Sequence, residues 1–201
     1  MNILYEPLPE YVVVHEKKYR IVTDFREWLK FLDLIQDESV PDTVKVDLLM
    51  QWYKEKPPTE EASLYALCDF LLVKGLYIPM GIDAIMESHN VKEGVGDDEK
   101  NDSVEPPSFS YAIDAPAILC AFLATYQIDL HEVNYLHWWK FKLLFDGLPE
   151  NTEIKQRMAY RTAKIDCIKD KDEKRRIKDI KRRIALPIER ELDDYAIGGM
   201  F

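Results

Sequence analysis

The chain is poor in cysteine, in glycine and in long apolar runs, and each shortage closes off a class of protein. Its three cysteines, Cys68, Cys120 and Cys167, are odd in number and widely spaced over 201 residues. That is no disulfide framework; it fits reduced thiols in apolar surroundings. The seven glycines form neither a phosphate-cradling loop nor a Gly-x-Ser-x-Gly turn, and no Cys/His nucleophile pattern occurs. No apolar stretch approaches the ~20 residues that span a bilayer, and the N-terminus lacks a basic-then-apolar leader. Of the four histidines, His131 and His137 lie six apart, whereas two ligands on one helical face sit about three or four apart. Neither has an acidic or cysteine partner at ligand spacing. The sequence therefore predicts a soluble cytoplasmic protein with no catalytic residue, no metal and no cofactor: not an enzyme.

What is present is bulk for a core and an uneven charge. The chain is 47% hydrophobic and 32% charged, with eleven Tyr, eight Phe and four Trp, a globular balance. Its net charge is −10. Residues Glu153 to Arg183 hold thirteen Lys/Arg against six Asp/Glu, a local +7, so the remainder carries −17. An acidic body with one basic segment is suited to associate with its own copies or with an oppositely charged partner.

The stretch Asp129 to Pro149 organises the rest. Asp129 and Glu132 have capping-box spacing, Gly147 suits a left-handed helix end, and Pro149 forbids continuation. Between them Leu136, Trp139 and Leu143 share one face, while Trp138, Phe141 and Phe145 share another roughly opposite. A helix apolar on two sides is covered on two sides, by its own core or by a partner. Around it, Tyr11 to Val22 reads as a β-hairpin. Asp24 caps a helix facing inward through Phe25, Trp28, Leu29, Leu32 and Ile35, and Pro41-Asp42 starts a second with Val44, Leu48, Leu49 and Trp52 inward. Pro57-Pro58-Thr59 precedes a third, through Leu64, Leu67, Cys68 and Leu71, stopped near Gly75. Phe109 to Ile113 reads as a short strand, and Asp114 caps an apolar helix to about Tyr126. Another helix runs from Pro149 to about Thr162. Asp170 then opens a basic helix with Ile177, Ile180 and Ile184 as a stripe, and residues 198–201 form a frayed tail.

The fold class is thus mainly α (α+β), about six to eight helices with a small N-terminal β-hairpin. Residues 1–86 form an N-terminal half, 87–107 an acidic linker or loop, and 108–201 a helical half packed with the first as one domain. Core packing explains Trp138 and Trp139 most simply. The sharper reading makes one of them an interface anchor. Trp139 lies in the aliphatic row and should be the deeper, whereas Trp138, near Asn134, shares the second face with Phe145. The candidate partner-binding set is Tyr135, Trp138, Phe145, Tyr160 and Arg161. In the basic helix, Asp170, Asp172, Glu173 and Asp179 are spaced to pair with Lys174, Arg176, Arg182 and Arg183, favouring a solvated helix over one that tracks phosphates.

Several blocks carry a resemblance. They are Leu4-Tyr5-x-x-Leu8-Pro9, Thr23-Asp24-Phe25-Arg26-x-Trp28, Ala121-Phe122-Leu123-x-x-Tyr126-x-Ile128-Asp129-Leu130, Leu136-His137-Trp138-Trp139-Lys140-Phe141, Gly147-Leu148-Pro149, Tyr160-Arg161 and Ala185-Leu186-Pro187. With them the chain resembles, over nearly its full length, the "gene product fifteen" family of long-tailed phages and prophages of Gram-positive bacteria. The resemblance implies a tail assembly chaperone that binds the tape-measure protein, or other tail proteins, in the cytoplasm of the bacterial host. The alternative is a head–tail connector or tail completion protein retained in the virion. Nucleic-acid binding through the basic helix is less favoured, a homo-oligomer is compatible, and no catalytic residue carries over.

Overall fold

In the computed structural model, which describes residues 2–58, 60–74, 107–165 and 170–187, the two β-branched runs near the N-terminus pair as an antiparallel hairpin. Strand β1 is Tyr11–Val14 and β2 is Lys17–Arg20, in register from Tyr11↔Arg20 to Val14↔Lys17. Its two turn residues, His15 and Glu16, both take positive φ, 46° and 64°, the geometry that follows the twist of paired strands. Val12, Val14 and Tyr19 are buried while Tyr11 and Val13 are exposed, as the two-residue period of a strand requires. The described residues hold seven α-helices: α1 Phe25–Gln36, α2 Asp42–Leu49, α3 Glu60–Leu71, α4 Ala115–Tyr126, α5 Trp138–Asp146, α6 Glu153–Thr162 and α7 Lys171–Arg183. A 3-10 turn, Met50–Trp52, follows α2. The fold is mainly α with a small N-terminal hairpin, as the sequence predicts.

The chain divides into two compact units. One comprises Met1–Asp83 and Phe122–Leu148, the other Ala84–Ala121 and Pro149–Phe201. The acidic stretch 87–107, apart from Pro107, the helix stop near Gly75 and the tail 198–201 lie outside the described residues.

The first unit is built on aromatic packing. Asp24 caps α1, its Oδ1 accepting from the Arg26 N–H at 3.0 Å. The buried face of α1 is Phe25, Trp28 and Phe31; Leu29 and Leu32 are only half-buried, and Ile35 is exposed. Phe25 and Trp28 face inward as the sequence predicts, but the buried face is rotated toward Phe31 and away from Leu29 and Leu32, because aromatic rings fill the core. Trp28 packs on Phe31, Phe70 and Trp138, with ring centroids 4.9–6.3 Å apart. Phe141 stacks on Phe25 at 4.8 Å and on Phe122 at 5.2 Å. On α2 Val44 is exposed and Leu49 buried.

Three local expectations change. The Trp-Trp helix begins at Trp138, not at Asp129. Asp129 does cap, its Oδ1 accepting from the His131 and Glu132 N–H groups at 2.8 and 3.3 Å, but only a turn forms there. The chain then extends, because residues 133–137 are claimed by long-range bonds to α1 that a helix would forfeit. Gly147 is not left-handed (φ −80°). It is needed for space: a Cβ there would sit 3.2 Å from the Leu143 carbonyl oxygen and 3.3 Å from the Tyr126 hydroxyl, which itself donates to the Leu144 carbonyl at 2.9 Å. Phe109 to Ile113 is a turn-containing segment rather than a strand, closed by the Asp114 N–H on the Ser110 carbonyl at 2.9 Å.

Both faces of α5 are covered, and the order of the two tryptophans is corrected: Trp138 is 1% exposed and Trp139 5%. Each indole N–H donates to the end of α3, Trp138 to the Leu71 carbonyl at 2.9 Å and Trp139 to the Phe70 carbonyl at 2.8 Å. Truncating either leaves a cavity and removes the donor from a helix-end carbonyl. Trp138→Ala and Trp139→Ala should each cost about 3–5 kcal/mol in urea melts, with Trp138→Ala at least as damaging. A Trp138 variant as stable as the parent would contradict this packing.

Candidate partner-binding surface

Two stretches more than a hundred residues apart dock in the first unit, Thr23 to Arg26 and Leu136 to Trp138. Asp24 and His137 form an isolated antiparallel bridge. The Phe25 N–H donates to the Leu136 carbonyl at 2.9 Å, and the Trp138 N–H to the Thr23 carbonyl at 2.8 Å. The Arg26 guanidinium spans outward to the carbonyls of Leu130, at 3.0 Å, and Val133. Arg26 thus holds the extended segment in place by supplying donors to carbonyls that no helix uses.

His137 fastens this corner. Its Nδ1 accepts the Trp139 N–H at 3.1 Å, as the N-cap of α5. The ring proton then belongs on Nε2, which donates to the Pro9 carbonyl at 3.0 Å. Burial lowers the pKa of His137 below its ordinary value; the Pro9 carbonyl and the Glu10 carboxylate oppose that shift without reversing it. The sequence offered a signal for this residue only as part of the His-Trp-Trp block, since histidine is not a leading N-cap type.

The predicted partner residues fall into different settings. Tyr135 is 53% exposed, its hydroxyl 2.7 Å from the Thr23 hydroxyl. Trp138 and Phe145 are buried and build the core of the first unit. Tyr160 is half-buried and Arg161 buried, both on α6 in the second unit. Of the five, only Tyr135 presents a large exposed side chain. Near the start of the chain, Ile3, Leu4 and Tyr5 are exposed too, Leu4 at 89% and Tyr5 at 77%. They are not loose: the Asn2 carbonyl accepts from Tyr5 and Glu6, and its side chain from Leu4, so a closed turn displays them.

Arg161 has a structural partner that the sequence reading missed. Its Nη1 lies 2.6 Å from Asp114 Oδ2 and its Nη2 2.9 Å from Oδ1, a two-pronged pair. Arg157 adds a 3.0 Å bond to Oδ1, and the Ser110 N–H one to Oδ2. Further Arg161 bonds reach the carbonyls of Ser108 and Ile184, tying the turn before α4 and the end of α7 to α6. Burial alone would raise the Asp114 carboxyl, but Arg161, the Ser110 N–H and Arg157 outweigh it and hold the group below its ordinary range. No group of three or more His, Cys, Asp or Glu among the described residues is placed to hold a metal ion. None of the described helices is long and apolar enough to cross a membrane.

Two measurements test these assignments. Because folding depresses the His137 pKa, the unfolded chain takes up the proton first; its contribution is complete above 6.5 and is lost as pH falls below that value. Between about pH 7.5 and about pH 5, the parent should lose more stability than His137→Asn, which keeps a capping oxygen but does not titrate. Parallel stability–pH curves for the two proteins would rule out the neutral histidine cap. Arg161→Ala should cost about 3–5 kcal/mol, since it removes the two-pronged partner of a buried carboxylate. An unchanged denaturation midpoint would instead return Arg161 to the binding surface.

A family model described as the bacteriophage Gp15 protein matches residues 4–186. No curated protein and no solved structure matches the chain. The match takes in the hairpin, all seven described helices and the docked Asp24 and His137 blocks. The chain is a phage protein that belongs to the bacteriophage Gp15 family.

Proposed function

We propose that the protein acts in phage tail assembly as a non-catalytic chaperone, binding the tape-measure protein in the host cytoplasm before the tail tube encloses it. Family membership supplies the phage setting. The observation that carries the chaperone reading is the turn at Ile3, Leu4 and Tyr5, which holds large apolar side chains in solvent. Exposed apolar and aromatic groups on an ordered support are the usual anchors of a protein interface. Tyr135, in the same unit and locked to Thr23, is a further anchor. Trp138, Phe145 and Arg161 act on this reading by holding the fold rather than by touching the partner. A tape measure is a long, largely helical chain whose apolar stripe needs cover, and apolar anchors suit that task.

Co-expression tests it. A tape-measure fragment that precipitates alone should stay soluble with this protein, and the complex should survive high salt because its contacts are apolar. Leu4→Ser with Tyr5→Ser should weaken binding at least about tenfold, as loss of a hot-spot pair does, and Tyr135→Ala should weaken it less. A fragment equally soluble without the protein, or a complex that dissolves in moderate salt, would overturn the reading. Fixed-copy recovery of the protein from purified virions would point to a retained tail component instead.

A further inference from the structure

Helix α7 carries eight Lys/Arg against three Asp/Glu, and the rest of the chain is correspondingly acidic. The sequence predicts that neighbouring acids neutralise this helix. The structure shows this in part. Arg182 meets Asp179 at 3.4 Å, and Lys181 donates to the Ala163 carbonyl. Arg175, Arg176 and Arg183 are exposed and have no partner among the described residues. They recur at helical spacing on one face, where with Asp172, Asp179 and Ile180 they line an open groove of about 410 Å³, three arginines against two aspartates.

The opposite pattern stands on the first unit. Between the end of α1 and α2, Asp33, Glu38, Asp42 and Asp47 are all exposed and unpaired among the described residues. The one cation of that corner, Lys45, donates to the Ile35 carbonyl. Amid these acids, Ile35 and Val44 are 39% and 45% exposed. One surface is a half-buried isoleucine among three free arginines and two aspartates, net positive; the other holds two exposed aliphatic side chains on α1 and α2 among free carboxylates. An apolar centre inside a charged rim is how protein interfaces are built, and opposite rims steer the two sides together.

We propose that these two surfaces pair between copies of the chain, α7 of one protomer lying on the α1–α2 corner of another. A second copy is the occupant favoured over a nucleic acid, because the strongly acidic remainder of the chain repels a polyanion while the corner attracts α7. Pairing of the two surfaces assembles two or more chains. This interface is independent of the tail-assembly reading and is tested on the purified full-length protein alone.

The test is sedimentation velocity across a concentration series. In about 50 mM salt the parent should run with the mass of two or more chains, and raising salt to about 500 mM should weaken association at least tenfold, as expected for exposed charges. Arg175→Glu/Arg176→Glu/Arg183→Glu and Asp33→Lys/Asp42→Lys/Asp47→Lys should each be monomeric on their own, with unchanged far-UV circular dichroism. Mixed in equal amounts, the two variants should associate again, since each now offers the charge the other lacks. A parent that stays monomeric in low salt, association untouched by either reversal, or two reversed proteins that fail to pair when mixed would overturn the proposal. Salt-sensitive capture of a short duplex through the three arginines, with no self-association, would overturn it in favour of nucleic acid.

Discussion

The last carbonyls of α3 need donors, and two indole N–H groups supply them. A helix end leaves four carbonyls without partners inside the helix; here Phe70 and Leu71 receive Trp139 and Trp138. The rest of the first unit follows from that arrangement. With both indoles aimed at the end of α3, the start of α5 is held there, Phe141 meets Phe25 and Phe122, and Trp138 closes on Trp28. Val73, just past α3, accepts a left-handed backbone (φ 57°) although it is β-branched. That conformation normally costs about 1–3 kcal/mol. It is held while Val73 stays buried and the Lys74 N–H closes the turn on the Asp69 carbonyl.

The blocks that carry the family resemblance turn out to be mostly framework. Asp24 and Arg26 cap and clamp, His137 joins the corner to Pro9, and Trp28, Trp138 and Phe141 fill the core. In the second unit Arg161 neutralises Asp114 and holds the end of α7 through the Ile184 carbonyl. Shared sequence in such a family reports how the scaffold is held, and the scaffold's unpaired surfaces are where a partner has to be sought.

How much of this was legible in the sequence depended on the range of the interactions. Local signals read well: the Asp24 and Asp170 caps form as expected, the hairpin closes, and the apolar helix after Asp114 ends at Tyr126. Long-range competition did not read. Asp129 makes its capping bonds, yet nothing nearby announces that Arg26 will take the Leu130 and Val133 carbonyls and stop the helix. Periodicity likewise shows that α5 is apolar on two sides without saying which cover it finds, so it leaves Trp138 and Phe145 open between core and partner surface, and both are core. Charge spacing in α7 suggests internal pairing; Arg182 does meet Asp179, but side chains at pairing distance in sequence need not meet, and Arg176 and Arg183 remain free. Tyr135 was read as a surface aromatic and is one.

The tryptophan cluster also has an optical consequence. Trp28 and Trp138 lie 6.3 Å apart with their planes inclined by 28°, close enough for their excited states to couple. With Trp139 they sit in a dry aromatic setting that shifts indole emission to the blue. Near-ultraviolet dichroism and unlabelled fluorescence therefore sense the docking of α1 on α5, and the unit carries its own reporter of whether that junction is closed.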